Sequence, residues 1–201
     1  MVFYNKCKRA IVKLKFVFCY PLNWFNCRMS GVHIDGNIKI NGILHLKNNG
    51  SISIGKNVRI NSSREENINF NGDRTYLCAS DGEIVIGNNV GMSNVVVYSQ
   101  KKIIIEDGAF LGAGCKIYDT DFHPLEAVYR NGPLRNDSHT KTATVIIKKN
   151  AFIGAGSYIL KGVTVGQNSI IGAGAVVTKS VPDNEIWAGN PAHYIKRVNI
   201  T

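Results

Sequence analysis

From residue 147 an aliphatic side chain returns every six positions: Ile147, Ile153, Ile159, Val165, Ile171 and Val177. Four residues after each stands a small or branched residue, at Ala151, Ser157, Val163, Ser169, Ala175 and Val181. Glycine follows the aliphatic directly at Gly154, Gly166 and Gly172. The same register appears upstream at Ile105, Leu111 and Ile117, and less cleanly at Ile86 and Met92 and at Ile54 and Ile60. A period of six is neither the 3.6 of an amphipathic helix nor the 2 of an alternating strand. It is satisfied when each hexad is one short strand followed by a tight corner. The aliphatic side chain then points inward onto its equivalent in the next coil, and Gly and Asn supply the dihedrals of the bend. Three hexads close a triangular coil, and stacked coils pair their strands in parallel around a continuous aliphatic column. A sandwich fits poorly, because its strands recur every 8–12 residues or so and less uniformly.

Residues 31–104 read as worn versions of this coil, with 61–83 the least regular part, a loop or an atypical coil. The register breaks once more, after Ile117. Coil geometry runs to Asp121-Phe122-His123-Pro124, gives way to a polar stretch from Leu125 to about Ala143, and resumes near Ile147. A solenoid accepts an insertion only as a surface loop, and loops of this size are often functional. The expected organisation is an N-terminal arm over 1–30, a β-helix over 31–185 with a loop at about 124–144, and a turn-rich cap or tail over 186–201.

The hexads, together with GAGAVVTKSVPDNEIWAGNPAHYIK at 172–196, resemble the hexapeptide-repeat acyltransferases, and among them the galactoside, maltose and polysaccharide O-acetyltransferases. The resemblance is strong over about 84–197. It implies an all-β, left-handed parallel β-helix, a homotrimer with active sites between subunits, acetyl-CoA as donor, and a sugar or glycan acceptor. The left hand is not derivable from the repeat, since parallel crossovers elsewhere are right-handed.

Acetyl transfer to a hydroxyl needs a base that takes the proton as oxygen attacks the thioester carbonyl, and imidazole titrates in the right range. The family's catalytic histidine sits in the D-x-D-x-H-P setting that is here Asp119-x-Asp121-x-His123-Pro124, just before the loop. His123 is therefore the expected general base of a direct transfer with no covalent enzyme intermediate. Asp119 and Asp121 are the candidate carboxylates for orienting its ring, with a backbone carbonyl as the alternative. Asn94 precedes Ile105 by the spacing at which similar enzymes carry an acceptor-binding Asn; a simple corner role is the competing reading. Where some relatives have a carboxylate, Ser99 and Gln100 stand here.

For the donor, the resemblance implies a pantetheine groove between neighbouring β-helices. Its matching positions are Ala155, Ala173, Thr178 and Lys179, with Gly154 and Gly172 admitting close backbone approach. Lys179 and Lys196 are the expected phosphate contacts, and His193 stands where relatives often carry Arg. Trp187 reads as packing.

The formal net charge of +10 is unevenly placed. Residues 1–30 carry Lys6, Lys8, Arg9, Lys13, Lys15 and Arg28 and no acid, interleaved with seven aromatic side chains. That composition suits a cap on the end of the column or peripheral contact with a membrane. No recognition motif accompanies the charge, so nucleic acid is not expected as a partner. Five cysteines without a C-x-x-C argue against a disulfide framework or structural zinc, and a cytoplasmic setting is the simplest expectation. No metal is expected. A carbonic-anhydrase-like zinc site would need converging histidines, whereas His123 and His139 lie far apart in sequence. A non-catalytic scaffold would have no use for His123 in its acidic motif. An amino-sugar N-acetyltransferase is the remaining alternative.

Overall fold

The computed structural model describes residues 19–63 and 74–199. Helix α1 (19–29) precedes the first coil. Strands are numbered along the chain. Sheet A stacks β1 (His33–Ile34), β4 (Ser51–Ile54), β7 (Glu83–Ile86), β10 (Lys102–Ile105), β13 (Val145–Ile147) and β16 (Thr164–Val165). Sheet B stacks β2 (Ile38–Gly42), β5 (Val58–Ser62), β8 (Gly91–Ser93), β11 (Phe110–Leu111), β14 (Phe152–Ile153), β17 (Ile170–Ile171) and β19 (Glu185–Ala188), and ends on β20 (His193–Arg197). Sheet C stacks β3 (His45–Asn48), β6 (Tyr76–Ala79), β9 (Val96–Ser99), β12 (Lys116–Tyr118), β15 (Tyr158–Ile159) and β18 (Val176–Val177). From β1 to β18 successive strands visit A, B and C in turn, and all strands pair in parallel except β19 with β20. The result is a triangular prism, the left-handed parallel β-helix.

The hexad register is the register of the core. Ile147, Ile153, Ile159, Val165, Ile171 and Val177 are all fully buried, as are Ile105, Leu111 and Ile117. The second set, Ala151, Ser157, Val163, Ser169, Ala175 and Val181, is buried beside them. Ser157 and Ser169 keep their hydroxyls satisfied by donating to the carbonyls of Gly172 and Pro182. The described parts of 61–83 also follow the coil, since β6 pairs in register with β3 and β9.

The three edges differ in chemistry. The A–B edge is an asparagine ladder: Asn57, Asn89, Asn150, Asn168 and Asn184 all adopt positive φ and hydrogen-bond along the axis. The B–C edge repeats Gly-Ala-Gly at 112–114, 154–156 and 172–174. The C–A edge releases the inserted loop. Asp121 N–H donates to the Lys141 carbonyl and Ala143 N–H to that of Asp119, so the loop closes at its neck. The loop holds helix α2 (Ala127–Arg130), with Tyr129 stacked on His139 at 3.7 Å between ring centroids.

Helix α1 sits on the first coil through Asn23, whose side chain donates to the Gly42 carbonyl and accepts from Leu44 N–H, and through buried Cys27. Residues 1–18 of the expected arm lie outside the described residues. The four described cysteines are free thiols, and no described helix is long and apolar enough to cross a membrane.

Truncating one inward aliphatic leaves a cavity that the coils above and below cannot close. Ile159→Ala should lower the unfolding free energy by about 2–5 kcal/mol. Gln167→Ala, on an exposed corner, should change it by less than about 0.5 kcal/mol. Denaturant titrations of the two variants check this contrast.

Candidate functional site

The sequence-predicted residues fall on two edges of the prism. On the C–A edge stand Asp119, Asp121, His123, Thr178 and Lys179; on the B–C edge stand Asn94, Gly154, Ala155, Gly172 and Ala173. His123 and Thr178 are two coils apart, about 10 Å along the axis at the usual strand spacing.

Local backbone geometry throws His123 outward. Phe122 adopts φ +63°, which costs a bulky L residue about 1–3 kcal/mol. Its neighbours hold it there. Phe122 N–H donates to Thr120 Oγ1 at 3.0 Å, and its ring packs on Tyr98 and Tyr118 at centroid distances of 4.8 and 5.0 Å. The following imidazole is exposed and makes no hydrogen bond or ion pair among the described residues.

The two carboxylates have separate roles. Asp119 is fully buried and accepts from Ser99 Oγ at 2.7 Å, Gln100 N–H at 2.8 Å and Lys101 N–H at 2.8 Å. It braces the corner of the preceding coil, and no hydrogen bond joins it to His123 among the described residues. Asp121 pairs through Oδ1 with Lys161 Nζ at 2.7 Å. Its Oδ2 is buried and has no hydrogen-bond partner among the described residues. Sequence reasoning missed Lys161, although the signal was in the register. Lys161 follows Ile159 by two residues as Lys179 follows Val177.

On the B–C edge the structure changes the reason for two glycines. A Cβ at Gly154 would lie 2.5 Å from Ala173 N, and one at Gly172 would lie 2.7 Å from the Ala188 Cβ. These glycines let coil stack on coil, so the close approach they permit is internal. The open positions of this edge are Gly156 and Gly174, where an added Cβ meets nothing within 4 Å. Ala173 is exposed and Ala155 half-buried beside them. Asn94 is only 2% exposed, at φ +50°, with its N–H donating to the Asn61 carbonyl. Within one chain it serves the corner and does not reach an open surface beside His123.

At the C-terminal end Thr178, Lys179 and His193 line a hollow of about 500 Å³, together with Trp187, Asn190 and Tyr194. Trp187 both packs on the core and walls this hollow, its Nε1–H donating to Glu185 Oε2 at 2.8 Å. Lys196 lies on exposed β20 opposite Ile186 and is not part of the lining. A cationic, partly aromatic hollow next to an open small-residue edge fits the phosphates and the thin arm of a CoA thioester. Among the described residues no three His, Cys, Asp or Glu side chains gather as a metal site.

The triangular coils and their six-residue period are those of a hexapeptide repeat. Residues 144–179 match the bacterial transferase hexapeptide (six repeats) family. The chain is 34% identical over 131 residues to a provisionally assigned acetyltransferase of Saccharomyces cerevisiae, covering 65% of this chain and 64% of that protein. It is 31% identical over 106 residues to the galactoside O-acetyltransferase of Lactococcus lactis, covering 53% and 48%. The chain thus spans about half to two thirds of the length of the curated relatives it matches. Among solved structures it is similar to AntD, an N-acyltransferase of Bacillus cereus in complex with dTDP and 3-hydroxybutyryl-CoA. That similarity has a TM-score of 0.67 and 26% identity, and covers 88% of each chain. A hexapeptide-repeat acetyltransferase of Vibrio cholerae complexed with acetyl-CoA matches with a TM-score of 0.52 and 28% identity, covering 58% of this chain and 61% of that one.

Removing the Asp119 carboxylate takes the acceptor from three donors, one of them fully buried. Asp119→Ala should therefore destabilise the fold by about 2–5 kcal/mol. Asp119→Asn, which keeps an acceptor, should cost less. Thermal melts of the two variants test the bracing role, and equal melting of both with the unaltered protein would refute it.

Proposed function

We propose that the protein is an acetyl-CoA-dependent O-acetyltransferase acting on a hydroxyl of a sugar or glycan intermediate. The observation that carries this reading is His123, exposed and unengaged at the mouth of the extruded loop, on the edge that leads to the Thr178–Lys179 hollow. Similarity to a galactoside O-acetyltransferase supports the hydroxyl acceptor. The donor supplies an activated thioester carbonyl. His123 takes the acceptor's proton as its oxygen forms the new C–O bond; the C–S bond breaks and the proton passes to the departing thiolate. Lys161 fixes Asp121 two residues before the base, so the corner that carries His123 is anchored from the next coil.

The division of the site between two edges supports a trimer. The B–C edge and the C–A edge of one prism flank sheet C and cannot face each other. In a closed ring of three, each B–C edge meets the C–A edge of the next copy, which completes the site between copies.

Transfer to an amino sugar is the second reading, favoured by the similarity to an N-acyltransferase over 88% of the chain. Acceptor choice separates the two: CoA release with hydroxyl-only sugars supports the first, and release only with amino sugars supports the second.

His123→Ala should lower kcat by about 10²–10⁴-fold, the usual contribution of a positioned base, with KM for acetyl-CoA little changed. Thiol detection of released CoA reads this directly. Near-normal turnover in the variant would remove His123 from the mechanism.

A further inference from the structure

The first coil ends in a surface that acyl transfer does not use. A helix lying on a soluble protein turns its polar side outward. Helix α1 does the reverse. It buries Asn23 and Cys27 on the coil and exposes Tyr20, Trp24, Phe25 and Met29 at 69, 58, 54 and 71%, with Leu22 at 43%. At 3.6 residues per turn these side chains form one arc, broken only by Arg28, whose guanidinium lies 5.7 Å from the Trp24 ring centre.

A cationic hollow adjoins this arc. Tyr20 and Trp24 wall a hollow of about 320 Å³ that shares Asn37 and Ile38 with a second of about 540 Å³. Lys39 and Arg59 line the second hollow on adjacent strands, directly opposite one another in register. Like charges so placed repel, and neither has an acidic partner among the described residues. Gly91 admits the Phe110 ring, which forms the far wall of this hollow; a Cβ there would strike the ring at 2.6 Å. In sequence, the 18 residues before α1 carry Lys6, Lys8, Arg9, Lys13 and Lys15 and no acid.

We propose that this end of the prism docks on an anionic lipid bilayer. The α1 arc inserts at the level of the headgroups, where Trp and Tyr are favoured, and Lys39 and Arg59 receive lipid phosphates. Exposed apolar area alone would suit a protein partner. The adjacent cations, without an acidic partner among the described residues, and the acid-free sequence before α1 favour a surface that is both apolar and negatively charged. His123 leaves the column three coils further on, about 14 Å along the axis, so docking at this end leaves the reactive edge clear.

The test is co-sedimentation of the full chain with vesicles of phosphatidylcholine alone or mixed with phosphatidylglycerol. The protein should bind the mixed vesicles at least about tenfold better than the neutral ones. The double variant Trp24→Ser/Phe25→Ser should lose about tenfold or more of its binding to both. Lys39→Gln/Arg59→Gln should lower the preference for phosphatidylglycerol by about fivefold or more. Thermal melts establish that each variant is folded. Three results would overturn the proposal. The first is binding that does not depend on the acidic lipid. The second is Trp24→Ser/Phe25→Ser lowering the melting temperature while vesicle binding is unchanged, which makes the arc an internal cap. The third is light scattering that shows a larger assembly dissolved by the same variant, which assigns the arc to a second copy of the chain.

Discussion

Stacking of inward aliphatic side chains, one coil above the next, is the constraint on which everything else rests. Parallel strands hold the coils at about 4.8 Å, and at that spacing Ile153 must meet Ile171, and Ile159 must meet Val177. The requirement recurs every six residues and leaves little freedom on the three faces. Variation is pushed to the corners, where asparagines turn the A–B edge, glycines and alanines thin the B–C edge, and the C–A edge opens to release a loop. Chemistry therefore lies on the edges because the faces are committed to pairing.

The break after Ile117 shows how the column tolerates a departure from its own rule. Asp119 enters the buried zone and is satisfied by three donors from the preceding coil. The loop neck then closes by backbone hydrogen bonds, and Phe122 is held at positive φ by two tyrosine rings. These contacts place His123 outside the coil on a rigid support. A loop leaving without the brace at Asp119 would carry its histidine on mobile backbone.

Much of the fold was legible because one residue type reports one position in the coil. Ile147 through Val177 announced the column, and Asp121-Phe122-His123-Pro124 announced where it opens. Partnerships between coils were not legible. Asp119 stands four residues before His123 in the motif, but its donors stand at 99–101, one coil earlier. Gly154 and Gly172 looked like contacts for a ligand, whereas the atoms they make room for belong to the next coil. Lys161 carried no motif of its own, and only the stacking sets it on Asp121. The arm's composition gave its charge and aromaticity, but which side of α1 faces the coil required the structure, since Asn23 is the inward residue and Trp24 the outward one.

The central claim is that one site takes its base from the C–A edge of one copy and its donor groove from the B–C edge of the next. Co-assembly of two inactive variants tests it most directly. His123→Ala removes the base, and Ala173→Trp fills the open groove on the other edge. When the two are expressed together with different tags and purified as mixed trimers, about a third of the sites should be restored, because every mixed ring has one interface at which an intact base meets an intact groove. CoA release from mixed trimers near that fraction of the unaltered rate is the predicted result. Mixed trimers no more active than either variant alone would contradict a site shared between copies.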